Sequence, residues 1–228
     1  MLRKLLAAVC LIASVTGVAA APPYVPYKSE AANDIYNLLF CDDMAAFTAK
    51  SAEQQATPWQ LVLASNPIDV PALATLAADQ TQEGRIRYMA FQRLRSSGQA
   101  VPEQQLLGVI VEVPLSEGLD TLAAYSEGGV RYINQSGKLV IAEGVLSLQP
   151  LVARLFDAAQ PVVARIGPWS QARREPPSVG KVRLTFLVSG GLYFGEGPFS
   201  AMQQEPLAAP VIQRATELLQ AVIAEGTK

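Results

Sequence analysis

LLGVIVEVPLSEGLDTLAAYSEGGVRYINQSGKLVIA, residues 106–142, is the stretch that decides the fold. Its apolar, β-branched runs over 106–113, 119–125, 130–134 and 138–142 are parted by Ser116-Glu117-Gly118, Glu127-Gly128-Gly129 and Gln135-Ser136-Gly137. Turns this short join antiparallel neighbours, because a parallel crossover needs a dozen residues or more. The stretch therefore predicts a four-stranded antiparallel meander with no helix inside it. Glu112 interrupts the first run and reads as a residue on the solvated side of such a sheet.

Downstream, Ser147 offers an N-cap for a helix that aligns Leu151, Leu155, Ala158, Val162 and Ile166, with Pro161 inside it. A proline-rich loop spans 167–180. Two further strands, over 182–188 and 192–194, form a hairpin across Ser189-Gly190-Gly191. A last helix from about residue 207 aligns Leu207, Val211, Ala215, Leu218 and Val222. Residues 101–228 thus read as an α+β domain with the order ββββ-α-ββ-α, its helices covering an apolar sheet face. This order resembles the profilin-like and the roadblock- or longin-like arrangements, in which one sheet is sandwiched by helices. The resemblance covers the second half of the chain, rests on element order and carries no family motif, so it implies a fold and no function.

Upstream, residues 29–100 read as a helical segment packed on that domain. One amphipathic helix is expected from an N-cap at Ser29 to about Lys50, with Ile35, Tyr36, Leu38, Leu39, Phe40, Met44 and Phe47 at spacings of three and four. Asn66-Pro67 ends a short apolar run, Asp69 caps a second helix, and a third ends at Gly98, where glycine suits the C-cap. Residues 21–28, rich in Pro and Tyr, read as an extended tether. Residues 1–20 have the order of a secretory signal peptide: Arg3 and Lys4, an apolar run too short for a bilayer span, then small residues up to Ala20. The mature chain is expected to begin at Ala21, exported to the periplasm or beyond, without a lipid on Cys10 and without an integral membrane segment.

Cleavage removes two cations and no acid, so the net charge moves from −2 to −4, and Cys41 is left as the single cysteine. No intramolecular disulfide can then form, and Cys41, among Leu38, Leu39, Phe40 and Met44, reads as a small buried hydrophobe. The chain holds no histidine. This excludes a Ser-His-Asp triad, a Cys-His pair and histidine-ligated zinc or haem. The acidic balance argues against nucleic acid, and no cofactor or metal is expected. Asp42-Asp43, with Asp34 before them, match no calcium loop and read as a solvated helix face.

Ser178-Val179-Gly180-Lys181 has the spacing of a serine–lysine nucleophile but ends a loop and lacks the companion motifs. Glu112, Asp120, Glu143 and Glu196 are the carboxylates on or beside strands from which a glycosidase-like pair would be drawn. Glu143 and Glu196, at strand ends beside glycines, read as solvated. The two loops that stand out carry Arg165, Trp169, Arg173 and Arg174, and Tyr193, Phe194, Phe199 and Met202; arginine and aromatic side chains are enriched at binding hot spots. Trp169, Arg173, Arg174, Tyr193, Phe194 and Phe199 are therefore the expected binding residues if both loops leave the same end of the sheet. Trp169, Arg173 and Arg174 are expected to be exposed, since only Glu175 is at hand locally to pair with the arginines. The expected function is a non-enzymatic binding or adaptor module of the cell envelope, its partner a protein or a small anionic ligand. The alternatives are a histidine-free hydrolase of glycan or peptide using paired carboxylates, and a soluble structural subunit of an envelope assembly.

Overall fold

A computed structural model describes residues 23–48 and 55–226. The signal-peptide reading, Cys10, Ala21 and Pro22 lie outside the described residues. Five helices precede the sheet: α1 (Glu30–Leu38), α2 (Met44–Thr48), α3 (Pro58–Leu63), α4 (Val70–Ala78) and α5 (Gly84–Ser96). The sheet and its later helices follow as β1 (Leu106–Leu115), β2 (Gly118–Tyr125), β3 (Val130–Ile133), β4 (Leu139–Ala142), α6 (Gln149–Val163), β5 (Lys181–Val188), β6 (Gly191–Pro198), α7 (Phe199–Met202) and α8 (Ala208–Glu225). All six strands form one antiparallel sheet in the order β4-β3-β2-β1-β5-β6, so β1 is central and the meander stands as read. The protein is an α+β protein. Among the described residues no helix is long and apolar enough to cross a membrane.

The alternation of side chains divides the sheet between two cores. Val109, Val111, Leu122, Ala124, Leu184 and Phe186 pack with Val152, Leu155, Val211 and Leu218 of α6 and α8. Leu107, Ile110, Ala123, Tyr125, Ile133 and Leu187 pack instead with Tyr36, Leu39, Phe40, Met89 and Leu94 of the N-terminal helices and the link after α1. The helices before the sheet therefore cover the face that a one-sided sheet would leave to water. That is why β1 and β5 are buried along nearly their whole length.

Local signals hold at several ends. The Ser29 hydroxyl accepts from the Ala32 amide, and Asp69 Oδ1 accepts from the Ala72 amide at 3.0 Å. At the end of α5, Gly98 has φ 77°, its amide donates to Arg95 O, and the Gln99 amide donates to Leu94 O. That paired pattern needs the left-handed backbone that glycine adopts without strain. Elsewhere the expectations are corrected. The single helix over 29–50 breaks after Leu38, because Leu39, Phe40 and Cys41 are all fully buried and three successive residues cannot share one helix face. Helix α6 starts at Gln149 behind a buried Leu148, while the Ser147 hydroxyl donates to Glu225 of α8 instead of capping. Its buried face runs through Val152, Leu155, Ala159, Val162 and Val163, so Leu155 and Val162 of the face read are buried while Leu151, Ala158 and Ile166 are half-buried. Strand β6 continues to Pro198 through Gly195 and Gly197, and a Cβ on Gly197 would stand 3.2 Å from Met202 of α7.

Candidate functional site

Register builds a row of charge across the sheet face that α1 covers. Glu112 of β1 lies opposite Arg183 of β5, and Arg183 opposite Glu196 of β6. Glu112 is fully buried and Arg183 is 3% exposed, which corrects the solvated reading of Glu112. The side chain of Glu196 is 10% exposed and is corrected likewise. The Arg183 fork is engaged mostly by Glu196: Nε and Nη2 donate to Oε2 at 3.0 and 2.5 Å. Nη1 and Nη2 also donate to the main-chain oxygens of Arg174 and Glu175 at 3.2 and 2.7 Å. Glu112 is left with Arg183 Nη1 at 3.7 Å and the Tyr36 hydroxyl, which donates to Oε1 at 2.7 Å; its Oε2 is buried without a hydrogen-bond partner. Burial therefore pushes the Glu112 carboxyl above its usual value against the pull of Arg183. At Glu196 burial also pushes upward, but the hydrogen bonds from Arg183 and Lys181 prevail and hold it below.

The two carboxyls make opposite contributions to pH dependence. A carboxyl raised in the native state weakens the fold as pH climbs from about 4.3, the unfolded value, through the native value; a lowered one weakens it as pH falls below about 4.3. Native stability is thus expected to gain a Glu112 contribution between pH 7 and about pH 4.3, the unfolded value. Glu112→Gln should remove that gain, read as urea midpoints at the two pH values. An undiminished gain in the variant would place the pH dependence elsewhere.

Beside this row, Arg173 enters a box of rings. Its guanidinium carbon is 4.0 Å from the Phe40 ring centroid, 4.9 Å from Tyr24 and 5.5 Å from Tyr36. Nε donates to Asp42 Oδ2 at 2.7 Å and Nη2 to Asn37 Oδ1 at 3.2 Å, while Nη1 is buried with no acceptor. Arg173 is 6% exposed, so its expected exposure is corrected: its partner comes from residue 42, far along the chain and not from its own loop. Asp42 is correspondingly not on a solvated helix face, whereas Asp34 and Asp43 are exposed.

The 164–180 loop, α5 and the β5–β6 turn enclose a lateral cleft of about 280 Å³. Trp169 forms one wall; its indole N–H donates to Ala172 O at 3.0 Å, and its ring meets Phe194 edge-on at 5.0 Å. Tyr88, Gln92 and Arg95 form the wall on α5, and Gly190-Gly191 bring bare backbone to the floor. A Cβ at Gly190 would meet Glu103 O at 2.5 Å, so the turn sits too close to its neighbour for any other residue. Arg95 is half-buried, donates to Ser189 O and lies over the Tyr88 ring at 5.9 Å. Among the described residues it has no carboxylate within ion-pair distance, and burial lowers its pKa. Asp42 is the cleft's one carboxylate, and Arg173 holds it.

The six residues expected to bind do not form one surface. Trp169 and Arg173 line the cleft and Phe194 backs Trp169, but Tyr193 is buried on the opposite face and Phe199 packs against the core there. Arg174 is exposed outside the cleft lining. Sequence reading missed Tyr88, Gln92 and Arg95, whose helical spacing of three and four marks one face of α5 but not what lies across from it. Ser178 and Lys181 form no catalytic couple, since the Lys181 ammonium sits 3.2 Å from Glu196. Of the other carboxylates, Asp120 accepts from the Tyr132 hydroxyl and the Gln135 amide, and Glu143 is exposed and pairs with Arg131. Burial raises the Cys41 thiol to about 12, so it stays protonated. Among the described residues no group of three His, Cys, Asp or Glu could hold a metal ion.

Fold and cleft together define an α+β protein with a sheet covered on both faces and a cationic slot at the β5–β6 end. Set against protein-family models, curated proteins and solved structures, the chain matches none of them.

Proposed function

We propose that the protein is an exported, non-enzymatic binding module of the cell envelope that takes a small anionic ligand in the lateral cleft. The observation that carries this reading is Arg95. A half-buried guanidinium with no carboxylate beside it is costly, and a carboxylate or phosphate oxygen would offset that cost. Trp169 supplies an aromatic wall and Gln92 an amide, the mixture of apolar surface and few polar groups usual for small-molecule sites. Support for binding over catalysis comes from the cleft's acid–base content: its one carboxylate is tied to Arg173, and its one phenol, Tyr88, is buried with its pKa raised. A general acid–base pair is absent from that set of side chains.

Calorimetric titration of the mature chain with inorganic phosphate and with succinate tests the reading. Saturable binding of one or both, weakening with salt, is expected, and Arg95→Gln should weaken it about tenfold or more, equivalent to ~1.4 kcal/mol. No heat from either anion up to tens of millimolar, or equal binding by the variant, would remove the cleft from the argument.

A further inference from the structure

The sheet ends in two edges, β6 and β4, and they are finished differently. At β6 the 164–180 loop lies against the edge, where the Trp169 amide donates to Leu192 O at 2.7 Å. Gly195 and Gly197 interrupt the same strand, so it offers a partner little side-chain surface. Strand β4 has neither protection. Two hydrogen bonds fix which way its backbone groups point: the Asn134 amide donates to Lys138 O, and the Tyr125 amide to Gly129 O, both at 2.9 Å. Bonded pairs recur at every second residue of an antiparallel ladder, so Lys138, Val140 and Ala142 bond inward to Asn134, Tyr132 and Val130, while Arg131 and Ile133 turn to β2. The N–H and C=O groups of Leu139 and Ile141 therefore point away from the sheet, and among the described residues they meet no hydrogen-bond partner.

The side chains of the same two residues are exposed, Leu139 by 38% and Ile141 by 49%, and Leu146 in the turn that follows by 76%. Natural edges are usually shielded by charge, proline or a bulge, whereas this one sets apolar side chains beside unbonded backbone. Its charges sit at the two ends, both exposed. Lys138 precedes the strand with no carboxylate at ion-pair distance among the described residues, and Glu143 follows it, paired with Arg131. Such an edge is complementary to itself. We propose that β4 pairs antiparallel with β4 of a second copy, about a two-fold axis at Val140, so that two sheets join into one. Leu139 of each copy then stands opposite Ile141 of the other, and each such pair exchanges both of its outward bonds. The axis also reverses the strand ends, which brings Lys138 of one copy beside Glu143 of the other at both ends of the join. Each edge is four residues long, so the dimer is a weak one that forms and parts with concentration. The lateral cleft lies at the opposite, β6 edge, and pairing through β4 leaves it open in both copies.

Sedimentation velocity of the mature chain from about 1 μM to 1 mM tests the pairing. A reversible monomer–dimer equilibrium is expected, and Ile141→Lys should weaken it about tenfold or more by setting a charge among the apolar pairs. Lys138→Glu alone and Glu143→Lys alone should each weaken it too, because like charges then meet at both ends of the join. An equimolar mixture of those two variants should recover the dimer, since opposite charges again meet at each end. Lys138, Ile141 and Glu143 are exposed, and Arg131 keeps Glu83 at 3.5 Å when Glu143 is replaced, so the variants should fold. A chain that stays monomeric to about 1 mM overturns the proposal. A dimer indifferent to the substitutions overturns it as well, by placing the contact on another surface, and a mixture that fails to recover removes the two-fold pairing.

Discussion

Arg183→Ala is expected to lower the stability of the fold by about 3–5 kcal/mol, the range found when one partner of a buried ion pair is removed. The physical reason is the load that one guanidinium carries. Arg183 stands between Glu112, fully buried, and Glu196, and it donates to two main-chain oxygens of the 164–180 loop. Its removal leaves Glu112 in a dry interior without a cation, leaves Glu196 with Lys181 alone, and frees the loop from β5. Urea unfolding should show the midpoint fall at pH 7 with little change in slope. Replacing the whole row with neutral groups, Arg183→Met with Glu112→Gln and Glu196→Gln, should recover most of the loss, because the cost lies in the uncompensated charges. A loss under about 1 kcal/mol in the single variant would mean that water reaches the row.

Phe186→Ala should weaken the fold by about 3–5 kcal/mol for a different reason. Phe186 is fully buried on the sheet face under α6 and α8, between Val109 of β1 and Tyr193 of β6. A pleated surface held on its other side by five helices cannot collapse into the space left, so the transfer and cavity contributions both remain. Phe186→Leu, which keeps most of the volume, should lose no more than about 1.5 kcal/mol. Equal losses in the two variants would show that the ring fills no defined space.

The elements legible in the chain are those whose cause is local. The turns Ser116-Glu117-Gly118 and Gln135-Ser136-Gly137 set the meander, Ser29 and Asp69 accept the bonds their types favour, and Gly98 takes the backbone only glycine takes cheaply. The α8 face through Val211, Ala215, Leu218 and Val222 is likewise carried by spacing alone. Trp169 and Arg173 were singled out by residue type, and both line the cleft, but the environment of Arg173 was not in its own neighbourhood. Its rings and its carboxylate come from residues 24, 36, 40 and 42, more than a hundred positions earlier.

The amino-acid order by itself determined the α+β class, the antiparallel pairing of the meander and the absence of imidazole chemistry, because turn length, side-chain period and composition act over a few residues at a time. Only the tertiary structure decided that Glu112, Arg183 and Arg173 are inside, that the first helix breaks before Leu39, and that Arg95 faces a cleft. A strand or helix records which of its residues share a face. Whether that face meets water, a second helix layer or a counter-charge depends on segments a hundred residues away, and here the helices before the sheet are what turn its polar side into a buried one.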